Sequence, residues 1–219
     1  MVNHAVGGAE AKHLAGLSLY TDGKHLLGVR SRASTTELLY VDPPTQTTFL
    51  MRTLNRPCPG RALFDNEYDG SMYCIDLAKQ RFSAYDAQDG SWVAVDQPLN
   101  CATTLTAVEV MGDYNQPPDW RLKGVGTTAD GDTLVMQELN RRTGTCRTVA
   151  KIPVPQDATP LAWFAPYFHG PSFSTLAVVP LAPRVLATVN LSSTPPTVLP
   201  LTATETQLAD AYGLLAHIY

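Results

Sequence analysis

Short apolar runs separated by turn residues recur along the chain at intervals of about 50 residues. Runs rich in β-branched and aromatic residues, such as Thr48–Leu54 and Ser91–Val95, are typical of strands. Long helical periodicity is absent before residue 204, so the pattern predicts an all-β chain. One run, which follows a turn signal in each repeat, lies at Leu26–Val29, Met72–Ile75, Leu122–Val125 and Thr175–Val178.

Turn signals divide each repeat into four short strands. In the first repeat the predicted strands are Gly16–Thr21, His25–Arg30, Glu37–Asp42 and Thr47–Leu54. Asp-Gly between apolar runs is a strong hairpin signal because glycine accepts a positive φ. Such turn signals are predicted at Asp22-Gly23, Asp69-Gly70, Asp89-Gly90, Asp130-Gly131 and Thr143-Gly144.

A period of this length built from short strands is typical of propeller blades. The repeats resemble generic propeller blades in Leu38–Pro43 and Phe82–Asp86, where an apolar strand ends in aspartate. The resemblance implies an all-β, β-propeller-like array of about four four-stranded blades. The WD dipeptide of WD40 repeats is missing, and the chain is close in size to the haemopexin-like propeller without its repeat motifs.

The same pattern predicts the division of the chain. Residues 1–13 are expected to form a loose N-terminal arm that contains His4 and His13, and residues 14–203 the propeller-like domain. The segment 204–219 is expected to be a C-terminal helix, since Thr204–Gln207 matches a capping box, or a closing strand at Tyr212–Tyr219. The four repeats are predicted at about 14–55, 60–99, 104–154 and 160–203.

Composition narrows the class of protein. A net charge of −4 argues against a nucleic-acid partner, which needs a basic patch. No apolar run reaches the roughly 18 residues of a membrane span, and no signal peptide is visible at the N-terminus, so we predict an intracellular, cytoplasmic protein. The cysteines form no CxxC pair and are expected to be free thiols, namely Cys58, Cys74, Cys101 and Cys146.

Two segments imitate known ligand sites. Asp65–Gly70 resembles the start of a calcium loop, but its twelfth position is Asp76 and not glutamate, so a solvated turn is favoured. Gly124–Ala129 resembles a dinucleotide fingerprint, but a turn signal follows where a helix is needed. We therefore predict no catalytic residue, no metal site and no cofactor.

The third and fourth repeats depart from the first two in their first turn. Gly112–Trp120 and Pro166–Phe173 are predicted to be long loops on one face, whereas the first two repeats have tight turns. Aromatic residues with a polar tip are enriched in binding surfaces. The predicted partner-binding residues are Tyr114, Trp120, Tyr167, Phe168 and His169.

Two functions remain open from the sequence. The first is a non-enzymatic protein-interaction module or scaffold subunit that binds another protein through this loop face. A second copy of the chain, or a longer partner that adds blades, would instead cover exposed blade faces and edges. The alternative is a propeller enzyme or small-ligand binder, such as a lactonase-like hydrolase or a glycan-binding lectin, which rests on fold analogy.

Overall fold

Antiparallel strands account for almost all regular structure in the computed structural model. It describes residues 3–5, 14–19, 25–45, 47–65, 70–110, 117–154, 159–160, 165–169, 174–182, 185–190 and 197–202. The chain packs as two compact units, Met1–Leu99 with Arg141–Gly144, and Asn100–Asn140 with Thr145–Tyr219.

The first unit contains two sheets. The first sheet has the order β1-β5-β4-β3-β2, and the second the order β6-β7-β8-β9. The strands of the first sheet are β1 (Asn3–Ala5), β2 (Leu14–Leu19), β3 (Leu26–Ser31), β4 (Thr36–Asp42) and β5 (Thr47–Leu54). Those of the second are β6 (Arg61–Asp65), β7 (Ser71–Asp76), β8 (Arg81–Asp86) and β9 (Ser91–Pro98).

The second unit contains two further sheets and a 3-10 helix at Pro118–Trp120. The third sheet has the order β10-β11-β12-β13, with strands β10 (Leu105–Val110), β11 (Leu122–Thr127), β12 (Thr133–Leu139) and β13 (Cys146–Pro153). The fourth has the order β14-β16-β17-β18, and β15 also pairs with β16. Its strands are β14 (Thr159–Pro160), β15 (Ala165–His169), β16 (Ser174–Ala182), β17 (Val185–Asn190) and β18 (Thr197–Thr202).

The all-β, propeller-like fold class predicted from the sequence is confirmed. Chain neighbours pair in order within the second and third sheets, which makes each a four-stranded antiparallel meander. Four of the predicted turn glycines have a positive φ, among them Gly90 at 65° and Gly131 at 79°. Both values lie in the left-handed region, which glycine enters at no steric cost.

Burial explains why these strands lack polar–apolar alternation. Five consecutive residues of β7, from Ser71 to Ile75, are buried, because both faces of that sheet are covered. The core of the first unit collects residues from both of its sheets, so the two sheets bury each other's inner faces. It contains Leu27, Val29, Leu54, Cys58, Ala62, Phe64, Met72, Cys74 and Tyr85.

Two sequence predictions need correction. The predicted loose arm contributes a strand, because Asn3–Ala5 pairs with Thr47–Phe49 of β5. The predicted loop at Pro166–Phe173 begins as strand β15, whose aromatic residues are strong strand formers. Pro166 is tolerated in β15 because this strand lies at an edge of its sheet. The predicted C-terminal helix or closing strand at 204–219 lies outside the described residues, as does the Asp22-Gly23 turn.

The prediction of free thiols is wrong. Cys58 is bonded to Cys74, and Cys101 to Cys146, with Cα–Cα distances of 5.2 Å and 4.7 Å. In each pair the first cysteine lies in the segment that enters a sheet and the second in a strand of that sheet. Because the partners are 16 and 45 residues apart, short spacing motifs could not reveal them. Each disulfide therefore fixes a connecting segment to the sheet that follows it.

A helix suited to crossing a membrane, in length and in apolar character, is not found among the described residues.

Candidate binding surfaces

A groove opens on the first unit, between strand β5 of the first sheet and strands β8 and β9 of the second. Its volume is about 610 Å³, within the range of about 300–1,000 Å³ that ligand pockets occupy. One wall belongs to β5 and the segment after it, and the other to β8, β9 and the turn that joins them. The lining residues are Arg52, Thr53, Leu54, Asn55, Arg56, Tyr85, Gly90, Ser91, Trp92 and Val95.

Aromatic packing fixes the second wall of the groove. Tyr85 and Trp92 are register partners on β8 and β9, and their rings meet edge to face with centroids 5.5 Å apart. Tyr85 is only 4% exposed and belongs to the core of the unit. Trp92 is half-buried, so part of its ring is available in the groove. Edge-to-face contact is the arrangement that aromatic pairs prefer, and it holds the indole in place.

Polar contacts join the two walls. Nη1 of Arg52 donates a hydrogen bond of 2.7 Å to the Tyr85 hydroxyl. The Trp92 indole N–H donates one of 3.2 Å to Oδ1 of Asn55. Because an indole nitrogen can only donate, this bond orients the Asn55 amide with its NH₂ group turned away from the ring. The groove therefore presents fixed donors beside an aromatic surface.

Strand β5 has an unusual exposed segment next to this groove. Four consecutive residues, Leu50 to Thr53, are exposed. Leu50 is 43% and Met51 49% exposed, and they are the large exposed hydrophobic residues of the described chain. The pairing of β4 with β5 skips Met51, which marks a β-bulge.

A row of charges crosses the third sheet in the second unit. The register aligns Glu109, Lys123, Glu138 and Arg147 on four neighbouring strands. Lys123 Nζ lies 2.6 Å from Oε1 of Glu138, and Oε2 of Glu138 accepts a hydrogen bond from Arg147 Nε. Opposite charges on neighbouring strands stabilise a sheet. The row therefore stabilises the pairing of the four strands of the third sheet.

Trp120 is tied to this row. The Arg147 guanidinium carbon lies 4.5 Å from the centre of the Trp120 ring, which is a cation–π distance. The Trp120 carbonyl accepts a hydrogen bond of 2.9 Å from Lys123 Nζ. The 3-10 helix that ends at Trp120 thus has two contacts to the sheet, and they leave the indole half-buried.

Of the other predicted binding residues, three are described by their strand pairing and one lies outside the described residues. Tyr114 lies outside the described residues. Tyr167, Phe168 and His169 lie in strand β15, opposite Leu176, Thr175 and Ser174 of β16. The convergence of these residues with Trp120 on one surface stays a prediction.

Burial shifts the protonation of Lys123, whose side chain is 1% exposed. Burial lowers the pKa of Lys123 from 10.5 to about 8, although Glu138 opposes the shift. Removal from water disfavours the charged ammonium, and the nearby Arg147 and Arg121 disfavour it further.

The lowered pKa of Lys123 predicts how stability depends on pH. Between pH 8 and pH 10 the unfolded chain holds more protons than the folded chain, so stability rises with pH in this window. Between pH 7 and pH 9 we expect the free energy of unfolding to rise by about 1 kcal/mol more than in Lys123→Met. Urea unfolding of both proteins at these pH values measures the difference. A constant or falling difference would show that buried Lys123 keeps its proton.

Sequence reasoning missed both the groove and the charged row. The row had a signal, since each of four consecutive strands contains a charged residue, and β13 contains a second, Lys151. Arg52 and Trp92 lie in runs that the sequence pattern identifies only as strands. Their shared position depends on how two sheets pack, and no local spacing encodes it.

Comparison with known proteins supports the fold. No protein-family model and no curated protein sequence matches the chain. Among solved structures it is similar to the WD40 domain of SCAP from fission yeast, with 10% identity and a TM-score of 0.50 over 94% of this chain and 44% of that one. It is also similar to the complex of KlAtg21 with the coiled coil of AgAtg16, with 13% identity and a TM-score of 0.50 over 86% and 57%.

A further similarity is to the nidogen/laminin complex, with 13% identity and a TM-score of 0.49 over 87% of this chain and 65% of that one. The chain spans about half the length of several other structures that it matches. WD40 repeats form β-propellers. At 10% identity the likeness to the WD40 domain shows the fold alone, and that fold is propeller-like.

Proposed function

We propose that this chain is a non-enzymatic protein-interaction module and that the groove of the first unit is its contact surface. The observation that supports the proposal is the set of side chains gathered there. Tryptophan, tyrosine and arginine are the residues that most often dominate binding energy at protein interfaces. Here Tyr85 contacts both Trp92 and Arg52 in a concave site, and exposed Leu50 and Met51 lie beside it.

The predicted loop face is a second contact surface under the same proposal. It would contain Tyr114 and Trp120 from the third repeat and Tyr167, Phe168 and His169 from the fourth. Trp120 supports it, because its ring is held by Arg147 and remains half-exposed. A scaffold subunit with two contact surfaces could join two partners.

Site-specific photo-crosslinking tests the groove and the loop face separately. A benzophenone amino acid replaces Ser91 in the groove, Tyr114 in the predicted loop, or exposed Lys151 as a control. We expect the benzophenone amino acid at the position of Ser91 to crosslink one discrete protein. Trp92→Ala should abolish that product, because the alanine removes the aromatic wall of the groove. Lys151 should give no such product.

The other outcomes of this experiment assign a different surface or contradict the interaction function. A product from Tyr114 that Trp120→Ala removes would support the loop face. A product that contains two copies of this chain would assign the groove to a homo-oligomer. Crosslinks that are the same from Ser91 and Lys151, or absent from both Ser91 and Tyr114, would contradict the interaction function and favour the small-ligand alternative.

The two disulfides bear on where such a module acts. Cytosolic thiols are kept reduced, and structural disulfides are typical of oxidising compartments. The pairs Cys58–Cys74 and Cys101–Cys146 therefore support a module that works in an oxidising compartment. The intracellular, cytoplasmic placement predicted from the sequence stays a prediction.

A further inference from the structure

The groove concentrates positive charge in a chain that is acidic overall. Arg52 and Arg56 line it, and its lining contains no aspartate or glutamate, whereas the chain has a net charge of −4. Within the described ranges, neither arginine forms an ion pair with a carboxylate. Five other described arginines do so, namely Arg30, Arg32, Arg81, Arg141 and Arg147.

Arg52 is held in place and still has donors to offer. One of its nitrogens donates to the Tyr85 hydroxyl, and Tyr85 is fixed by the core. A guanidinium has five N–H donors in a planar fork, so the contact with Tyr85 leaves the others for a ligand. A side chain that is already ordered loses little entropy when it binds. Carboxylates match this fork in two parallel hydrogen bonds.

The neighbouring polar groups point to the same ligand chemistry. The NH₂ group of Asn55, turned away from the Trp92 indole, is a further donor among the side chains that line the groove. Arg56 is exposed at the same wall. Donors thus outnumber acceptors among the charged and amide side chains of the lining, and a ligand that supplies oxygen acceptors satisfies them.

The edge of β5 indicates the form of this ligand. Strand β1 pairs with β5 only at Thr47–Phe49. Among the described strands, none pairs with Leu50–Leu54 on that side, although β4 pairs on the other. An unpaired strand edge offers backbone N–H and C=O groups to another extended chain. Such strand addition gives affinity through the main chain and specificity through alternate side chains.

We propose that the groove binds an extended acidic segment of a partner protein, added along the outer edge of β5 with carboxylates on Arg52 and Arg56. This inference rests on the proposed interaction function and names the chemistry of the partner. Alternate residues of an extended segment point the same way. Acidic side chains at every second position would therefore face the arginines, with Trp92 flanking them.

Peptide binding by fluorescence anisotropy tests this inference. The probes are three labelled ten-residue peptides in which threonine alternates with glutamate, glutamine or lysine. We expect the glutamate peptide to bind, and its affinity to fall about tenfold in Arg52→Gln, the loss typical of about 1.4 kcal/mol. Added salt should weaken it, because the contacts are exposed ion pairs. Lys151→Gln removes the same charge elsewhere and should leave the affinity unchanged.

Other outcomes overturn the inference in distinguishable ways. Equal binding of the glutamine peptide, lost in Trp92→Ala, would make the acidic preference wrong while the interaction function stands. Equal weakening by Arg52→Gln and Lys151→Gln would show attraction by overall charge and remove the groove assignment. Failure of the glutamate peptide to bind would also overturn the inference, and the crosslink from Ser91 then decides whether the interaction function falls with it.

Discussion

Replacement of Arg141 by alanine is expected to lower the free energy of unfolding by about 3–5 kcal/mol, the usual cost of leaving a buried charge unpaired. Arg141 is 4% exposed, and its Nη2 lies 3.0 Å from Oδ2 of Asp86, which is also buried. Its Nη1 donates to the Ser71 hydroxyl at 3.0 Å. Without the guanidinium, the Asp86 carboxylate would remain in the protein interior with its charge uncompensated.

Chemical denaturation of Arg141→Ala beside Lys79→Ala measures this effect. Lys79 pairs with Asp76 at 3.0 Å, but its side chain is 72% exposed, so its loss should cost less than about 1 kcal/mol. A loss of similar size in both variants would show that water reaches Asp86. Arg141→Lys should recover only part of the stability, because an ammonium cannot reproduce the two-pronged contact with Asp86 and Ser71.

Arg141 also shows where sequence reasoning reaches its limit. Asp86 and Ser71 are 55 and 70 residues away from it, and the sequence pattern places the Arg141-Arg142 pair in a turn or strand end, where basic residues are usually solvated. Asp86, by contrast, belongs to the aspartate-ending strand that supported the propeller resemblance. Its local role could be foreseen, since Oδ1 accepts hydrogen bonds from the backbone of Gln88 and Asp89 in the following turn. The ion pair of Asp86 with Arg141 could not be foreseen, because the two residues are far apart in the sequence.

The fold was readable because it depends on local chemistry repeated along the chain. Glycine at Gly90 and Gly131 marks the turns, and apolar runs such as Met72–Ile75 mark strands covered on both faces. These signals act within a few residues, so one sequence contains them completely. The sequence therefore predicted the all-β class and most of the strands.

The sites depend on contacts between distant segments. The groove needs β5 and β9 to lie near each other, and the charged row needs the register of four strands. A shift of one residue in that register would put Lys123 opposite no carboxylate. The loop prediction at Pro166–Phe173 was wrong at its start because strand pairing with β16 decides the structure of Tyr167 and Phe168. The aromatic residues there favour a strand, but local composition does not say which strand they pair with.

Removal of the disulfides is the second change with a large expected effect. In the chain-entropy account, a bond that closes 16 residues, as Cys58–Cys74 does, contributes about 3 kcal/mol, and one that closes 45, as Cys101–Cys146 does, about 4 kcal/mol. We expect Cys58→Ala/Cys74→Ala and Cys101→Ala/Cys146→Ala to lose stability by about these amounts, with the longer loop losing more. Urea unfolding of the purified variants measures both losses.

Stepwise reduction separates the effect of the bonds from that of the substitutions. Cys58 and Cys74 are 2% and 0% exposed, whereas Cys101 and Cys146 are half-buried. A mild reductant followed by alkylation and mass spectrometry should therefore label Cys101 and Cys146 first, because thiol attack needs access to sulfur. Stability should fall at that stage by the amount lost in Cys101→Ala/Cys146→Ala. Labelling of all four cysteines without any reductant would mean that the purified protein holds free thiols, and the argument for an oxidising compartment would then fail.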